Sequence, residues 1–277
     1  MKKTGKFLGT VLFYIALLAV FLVIIYPVIW MIAGSLKNEQ DFYQNIWGIP
    51  ASFQWDNYIR AWTHAQLGTK YVNSLLVTSG FLVILLPVVC CAAYAIARVP
   101  FKGRVWIFRY LLMGVMIPAG VLAIPTFGVA VKLHLVDTRI GLTLICVAHS
   151  TAFGVFLMRS FFISLPKSLE EAAMIDGCTR FGSFLRVILP LSVPGLMTQV
   201  IYSGLNMWNQ YLMANLLIRS PSKQTLPLGI AIFTAENNVE YPVLFAALVC
   251  VTIPMVLIYI AGQKTFIAGM TAGAVKG

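Results

Sequence analysis

Six stretches of the chain carry no charged residue: 7–36, 71–97, 110–131, 140–158, 187–218 and 241–263. Each reaches the roughly 18 apolar residues that make a membrane-span candidate. Lipid offers no hydrogen bonds, so each run must satisfy its own backbone. No alternating pattern of the kind a barrel strand needs is visible, which leaves helices. The pattern predicts an all-α membrane protein of one domain, 1–277, with six transmembrane helices near 9–34, 71–97, 108–131, 140–162, 191–217 and 241–263. The first and fifth runs overshoot a span, so their ends belong to loops or to the membrane interface. The first run follows Lys2, Lys3 and Lys6 and is far longer than the core of a signal peptide, which reads as an uncleaved anchor.

Between the fourth and fifth runs lies a polar island with an internal plan, 164–190, SLPKSLEEAAMIDGCTRFGSFLRVILP. Pro166 favours an extended entry. Ser168 and Glu171 have capping-box spacing. Glu170 and Glu171 fall in a first helical turn, where the helix dipole favours acids. Asp176-Gly177 is a break, since glycine accepts the left-handed conformation that ends helices. From about Arg180 a second helix is expected, with Phe181, Phe184, Leu185 and Ile188 as its apolar stripe. In the first helix Leu169, Ala172 and Ala173 form one small-residue side, while Met174 and Ile175 sit elsewhere. A two-turn helix is unstable alone in water, so it needs a surface to pack on. That surface is either a partner protein or, on the plain alternative, the chain's own bundle.

Charge sets the orientation. With the N-terminus inside, thirteen basic residues fall on the inner side and seven on the outer, against three and six acids. This is the positive-inside bias, and it accounts for a net charge of +11 without invoking nucleic acid. It puts the island and both termini in the cytoplasm. Trp47, Trp55, Tyr58 and Trp62 in the outer segment 37–70 suit an interfacial belt; contact with an extracytoplasmic protein is the functional alternative. Arg98 to Arg109 needs no role beyond anchoring. Five scattered cysteines, four of them in apolar runs, suggest packing rather than disulfides or metal.

Glu171-Ala172-Ala173, Gly177 and Leu189-Pro190 resemble the EAA motif of ABC importer permeases, E-A-A-x3-G-x9-I-x-L-P, with Val187 standing where the motif has Ile. Asn73-Ser74-Leu75, Ala92-Ala93-Tyr94-Ala95, Trp208-Asn209 and the tail from Thr271-Ala272-Gly273 to Val275-Lys276-Gly277 resemble its sugar-importing, maltose-type branch. The resemblance implies a type I importer permease fold in the plasma membrane of a prokaryote. It implies that 164–190 is a coupling helix docked on a cytoplasmic ATPase dimer, with Glu170, Glu171, Ala172, Ala173, Asp176, Gly177, Leu189 and Pro190 as coupling residues, and that the tail touches the ATPase. A second, related permease chain and an extracytoplasmic solute-binding protein complete the assembly, with lipid around it. ATP and Mg belong to the ATPase, and this chain needs no cofactor or metal of its own.

The residues themselves weigh the alternatives. All nine acids lie outside the six runs, whereas proton and sodium coupling rely on buried acids; this disfavours an ion-gradient-driven secondary transporter. There is no phosphate-binding loop, zinc-binding motif or nucleophile elbow, so no catalytic residue is assigned. His149, in the fourth run, reads as a histidine hydrogen-bonded between helices. Pro118 and Pro125 mark either a hinge or a tolerated break in the third run. Asn206, Trp208, Asn209, Gln210 and Tyr211 join amides to aromatics, which suits a sugar's hydroxyls and ring face. These residues line the path or bind helices together. Many sugar permeases have Glu where this chain has Gln210. The outer loop 219–240, with Ser220-Pro221-Ser222 and Glu236-Asn237-Asn238, is long enough to meet a docked partner.

Overall fold

The computed structural model describes residues 2–235 and 239–274, so Glu236, Asn237, Asn238 and Val275-Lys276-Gly277 lie outside the described residues. Among the described residues there is no strand. The helices are α1 (Lys2–Ser35), α2 (Glu39–Gln44), α3 (Asp56–His64), α4 (Leu67–Arg98), α5 (Arg104–Met116), α6 (Ala119–Lys132), α7 (Arg139–Ser164), α8 (Ser168–Ile175), α9 (Arg180–Ser183), α10 (Leu189–Leu191), α11 (Val193–Trp208), α12 (Leu212–Leu217), α13 (Leu226–Ala235) and α14 (Tyr241–Ala274). A π turn, Phe184–Ile188, links α9 to α10.

Four helices are long and apolar enough to cross a membrane: α1, α4, α7 and the first part of α14. The third and fifth runs are not single straight spans. α5 and α6 meet at 106°, and the α9–α10 segment meets α11 at 73°; counting each bent pair as one span gives six. Pro118 makes the first break, because it has no N–H to give and holds Ile117 in extended backbone (φ −85°, ψ 121°). Pro125 is carried inside α6 without ending it. The second break falls at Ser192, just before Pro194, whose missing N–H cannot continue the ladder. Beyond Trp208 the fifth run breaks again, and α12 begins only at Leu212. The tail is helical as far as Ala274, where α14 ends.

The chain divides into two compact units. One holds residues 1–67 and 230–254. Here Gly34 lets α1 approach α14 closely: a Cβ at Gly34 would lie 2.5 Å from the Phe245 ring. Phe245 packs edge-on against Trp30 at 4.9 Å and Phe42 at 5.5 Å. Lys37 is fully buried and gives its ammonium to the Asn45 and Ile46 carbonyls. Asn57 donates to the Ser35 and Lys37 carbonyls at 2.9 and 2.8 Å, which seals the end of α1. Of the expected aromatic belt, Trp47, Trp55 and Trp62 are exposed, whereas Tyr58 shares a 2.7 Å hydrogen bond with Ser35.

The other unit holds residues 68–229 and 255–277. Val77, Phe81, Leu85, Val89 and Ala93 recur every fourth residue along α4, and all are buried. They form a single stripe in a core shared with Leu142, Val155, Met158 and Phe162 of α7. Gly154 marks a close crossing of three helices. A Cβ there would lie 2.7 Å from Val89 on α4 and 2.9 Å from the Gln199 amide on α11. His149 Nε2 lies 3.1 Å from Thr126 Oγ1, which joins α7 to α6 as the sequence suggested.

Candidate functional site

The polar island folds as a helix, a left-handed glycine and a second helix. α8 starts one residue earlier than the capping-box spacing predicts. Lys167 is the N-cap and makes no side-chain cap; its carbonyl takes the Glu170 and Glu171 N–H groups at 3.0 and 3.1 Å. Ser168 is thus the first helical residue, and the reciprocal Ser168–Glu171 pair does not form. The other end matches its signal. Gly177 has φ +86°, Cys178 N–H reaches the Ala173 carbonyl at 3.0 Å, and Gly177 N–H reaches that of Met174 at 3.1 Å. These two bonds define a Schellman closure, which satisfies carbonyls that a helix end otherwise leaves free. Thr179 then caps α9 by accepting the Gly182 N–H at 3.0 Å. That cap escaped the sequence reading, although a Thr just ahead of an apolar stripe is a start signal.

The predicted faces of α8 are redistributed. Ala173 and Glu170 turn inward and are buried, while Glu171, Ala172, Asp176 and Gly177 are exposed. The expected Leu169–Ala172–Ala173 side is therefore split: Leu169 joins Met174 and Ile175 on the open surface, Ile175 being 86% exposed. In the second helix Phe184 and Ile188 enter the core, while Phe181 and Leu185 stay exposed. They line an apolar groove of about 430 Å³ with Leu86, Pro87, Cys90 and Leu196. Leu189 is half-buried and Pro190 exposed. The π turn has a local cause. Pro190 lacks the N–H that would bond four residues back, and just before it the Leu189 N–H reaches the Phe184 carbonyl, five residues away.

The last turn of α4 grips this loop from inside. Tyr94 donates its phenol proton to the Glu170 carboxylate. Its ring lies 4.5 Å from that of Phe184. Four residues on, the Arg98 guanidinium donates to the Phe162 and Leu165 carbonyls, with Nε to Phe162 O at 3.1 Å. A cation on the last carbonyls of a helix satisfies both their hydrogen bonds and the dipole. Arg98 thus does more than anchor: it seals α7 where the chain leaves for α8.

The amide cluster separates into two environments. Asn206 and Asn209 are exposed, and each donates only to its own helix, to the Tyr202 and Leu205 carbonyls at 2.8 and 2.9 Å. With Tyr202 they form an exposed i, i+4, i+7 stripe on α11. Trp208 is instead buried, edge-on to Tyr71 at 6.1 Å, and its indole N–H has no acceptor among the described residues. Gln210 caps α12 by accepting the Met213 N–H at 3.2 Å, and Tyr211 is half-exposed.

A second polar knot holds the loop 218–226, and the sequence reading missed it. Asp137, itself at φ +55°, accepts from the Ser220 hydroxyl, from the Ser220 and Arg219 N–H groups at 2.8 and 3.0 Å, and from Lys223 Nζ at 3.0 Å. The Ser220 bonds first, then Lys223 and Arg219, hold its carboxyl well below the usual range. Buried Asn73 donates to the Ser222 and Gln224 carbonyls at 2.9 and 2.8 Å, and Ser74 accepts the Leu226 N–H at 2.8 Å. Asn73-Ser74 therefore has a visible task, that of fastening this loop to α4.

Built of helices with no strand among its described residues, with several apolar helices and an exposed helix–glycine–helix loop between two of them, the chain is a multi-pass membrane protein. It belongs to the family of binding-protein-dependent transport system inner membrane components, which residues 89–271 match; it is therefore a transport component and not an enzyme. It is 33% identical over 98% of its length to the probable ABC transporter permease protein YurM of Bacillus subtilis, covering 90% of that protein. It is 36% identical over 95% of its length to the arabinooligosaccharides transport system permease protein AraQ of Halalkalibacterium halodurans, covering 94% of it. The fold is similar, with TM-score 0.83 and 26% identity over 95% of this chain and 98% of the other, to a chain of a bacterial ABC transporter involved in the import of the acidic polysaccharide alginate.

Proposed function

We propose that this chain is the permease subunit of an ATP-driven importer of carbohydrate, working beside a second, related permease chain and energised by a separate cytoplasmic ATPase dimer. An extracytoplasmic binding protein delivers the sugar. The observation that carries the reading is α8. It presents Glu171, Ala172, Met174 and Ile175 outward, and it ends at a glycine whose surroundings are open. An exposed apolar patch rimmed by charge marks an interaction surface, and this one lies on the side where the basic residues concentrate. Both termini are then cytoplasmic, and the loop held by Asp137 faces outward.

The carbohydrate assignment draws on relatives whose names specify arabinooligosaccharides and diacetylchitobiose. It also draws on the exposed Tyr202–Asn206–Asn209 stripe, which with Gln210 and Tyr211 supplies the amides and rings that bind sugars. Trp208 supports that stripe from behind. ATPase closure displaces α8, and the motion passes to α7 and α11, which it joins; the path opens outward to a loaded binding protein and inward after hydrolysis. The test is a gentle detergent pull-down of the tagged chain from its native cell, read by mass spectrometry. Recovery of an ATPase and a second permease is the expected result. Recovery of this chain alone, still able to transport, would overturn the proposal in favour of an ion gradient.

A further inference from the structure

Glu170 stands among the coupling residues by sequence, yet it does not face outward as its neighbours do. It is 7% exposed, whereas Ser168, Leu169, Glu171 and Ala172 are open. A carboxylate drawn into packing needs a donor, and its donor is Tyr94 of α4, itself 6% exposed. The Tyr94 oxygen also lies 3.4 Å from the Arg180 carbonyl at the start of α9. A phenol has one proton to give, and the carboxylate is the stronger acceptor. The ring beneath is wedged between Phe184 and Phe162, with centroids 4.5 and 6.2 Å away. One side chain of α4 thus touches the helix, the segment that leads into it and the segment that leaves it.

We infer that Tyr94 is a positioning residue for energy coupling: through its hydrogen bond to Glu170 it makes α4 move with α8. The inference rests on the importer reading and deepens it. α8 is covalently continuous with α7 and, through α9 and α10, with α11. α4 is reached only across space: Arg98 meets the end of α7, and Tyr94 gives the hydrogen bond to α8 itself. Without the hydroxyl, α8 stays folded by its Schellman closure and Arg98 still holds α4 to the end of α7, but the direct bond that carries a displacement of α8 to α4 is lost.

The test uses the assembled importer, with this chain and its partners reconstituted in vesicles, and reads sugar taken up per ATP hydrolysed. Tyr94→Phe keeps the ring and removes the donor. It is expected to leave assembly and basal ATP hydrolysis intact while uptake per ATP falls about tenfold, the scale of a hydrogen bond to a charged group. Glu170→Gln keeps an acceptor oxygen and is expected to retain most of the coupling that Glu170→Leu loses. The double variant Tyr94→Phe, Glu170→Leu is expected to be no worse than Tyr94→Phe alone, since both remove one interaction. An unchanged ratio in Tyr94→Phe overturns the inference. So does loss of assembly in both Tyr94→Phe and Glu170→Gln, which would make the pair structural. A wild-type assembly with no ATP-dependent uptake removes the importer reading itself, a result separable from either.

Discussion

Gly177 offers the sharpest test of the coupling loop, because its backbone and its surroundings make separate demands. Its φ of +86° lies where L-residues are strained, and nothing within 4 Å would meet an added Cβ. Replacing it therefore has one cost inside this chain, the left-handed backbone, of about 1–2 kcal/mol for an ordinary residue and more for a β-branched one. Two-turn helices hold little stability in reserve, so this strain appears as a smaller fraction of chains with α8 ready to dock. Since ~1.4 kcal/mol is a factor of ten, Gly177→Val is expected to weaken association with the proposed ATPase partner about tenfold or more, and uptake with it. Gly177→Asn, which tolerates the left-handed region best among non-glycines, is expected to lose much less. The assay titrates the ATPase onto permease in lipid nanodiscs. Wild-type affinity in Gly177→Val would refute the argument. Equal losses in the Val and Asn variants would refute it differently, by showing that a partner occupies the open space and that bulk, not backbone, is at fault.

Gly154→Val drives a side chain into Val89 and Gln199 at contacts below 3.0 Å; a loss of about 1–3 kcal/mol is expected, read as a lower thermal midpoint in detergent. Gly114→Ala, whose nearest neighbour is 4.0 Å away, is expected to match wild type. Because the folded Asp137 carboxyl titrates below its ordinary value, its support of the 218–226 loop is complete above about pH 4 and is lost as pH falls through the folded value. Slow hydrogen exchange at Arg219 and Ser220 is accordingly expected to persist from neutral pH into mild acid, and to be lost at all pH values in Asp137→Ala. Asn209→Leu is expected to alter uptake without loss of assembly, since this amide bonds only its own helix; dissociation of the complex would identify it as interhelical glue instead.

The sequence was most legible where one residue type decides the outcome. Charge-free runs located the helices, and Asp176-Gly177 located the left-handed turn, because few other residues adopt it. Legibility failed where the answer depends on what a residue meets across space. A Pro118 in an apolar run is compatible with a hinge or a tolerated break, and the sequence alone does not say that the two halves meet at 106°. Glu170 and Glu171 are identical in sequence terms, yet only Glu170 finds a phenol and turns inward. Asp137 looked like an ordinary loop acid, because its four donors lie more than 80 residues away. Trp208 and Asn209 read as a pair, but adjacent residues on a helix point about 100° apart, and one is core while the other is surface.

This division between the two glutamates bears on the coupling role proposed for α8. A coupling element must be held firmly enough by its own chain to transmit force and left open enough for the partner to grasp it. α8 meets both needs in two turns. Glu170 and Ala173 face α4 and the core, and Leu169, Ala172 and Ile175 face outward. Its ends are fixed by different means: Arg98 holds the carbonyls upstream, and Gly177 closes the carbonyls downstream. Neither fixture uses a residue of the outward face. That face is therefore free to be shaped by the partner alone, and substitutions on it are expected to alter ATPase association while leaving the thermal midpoint of the isolated chain in place.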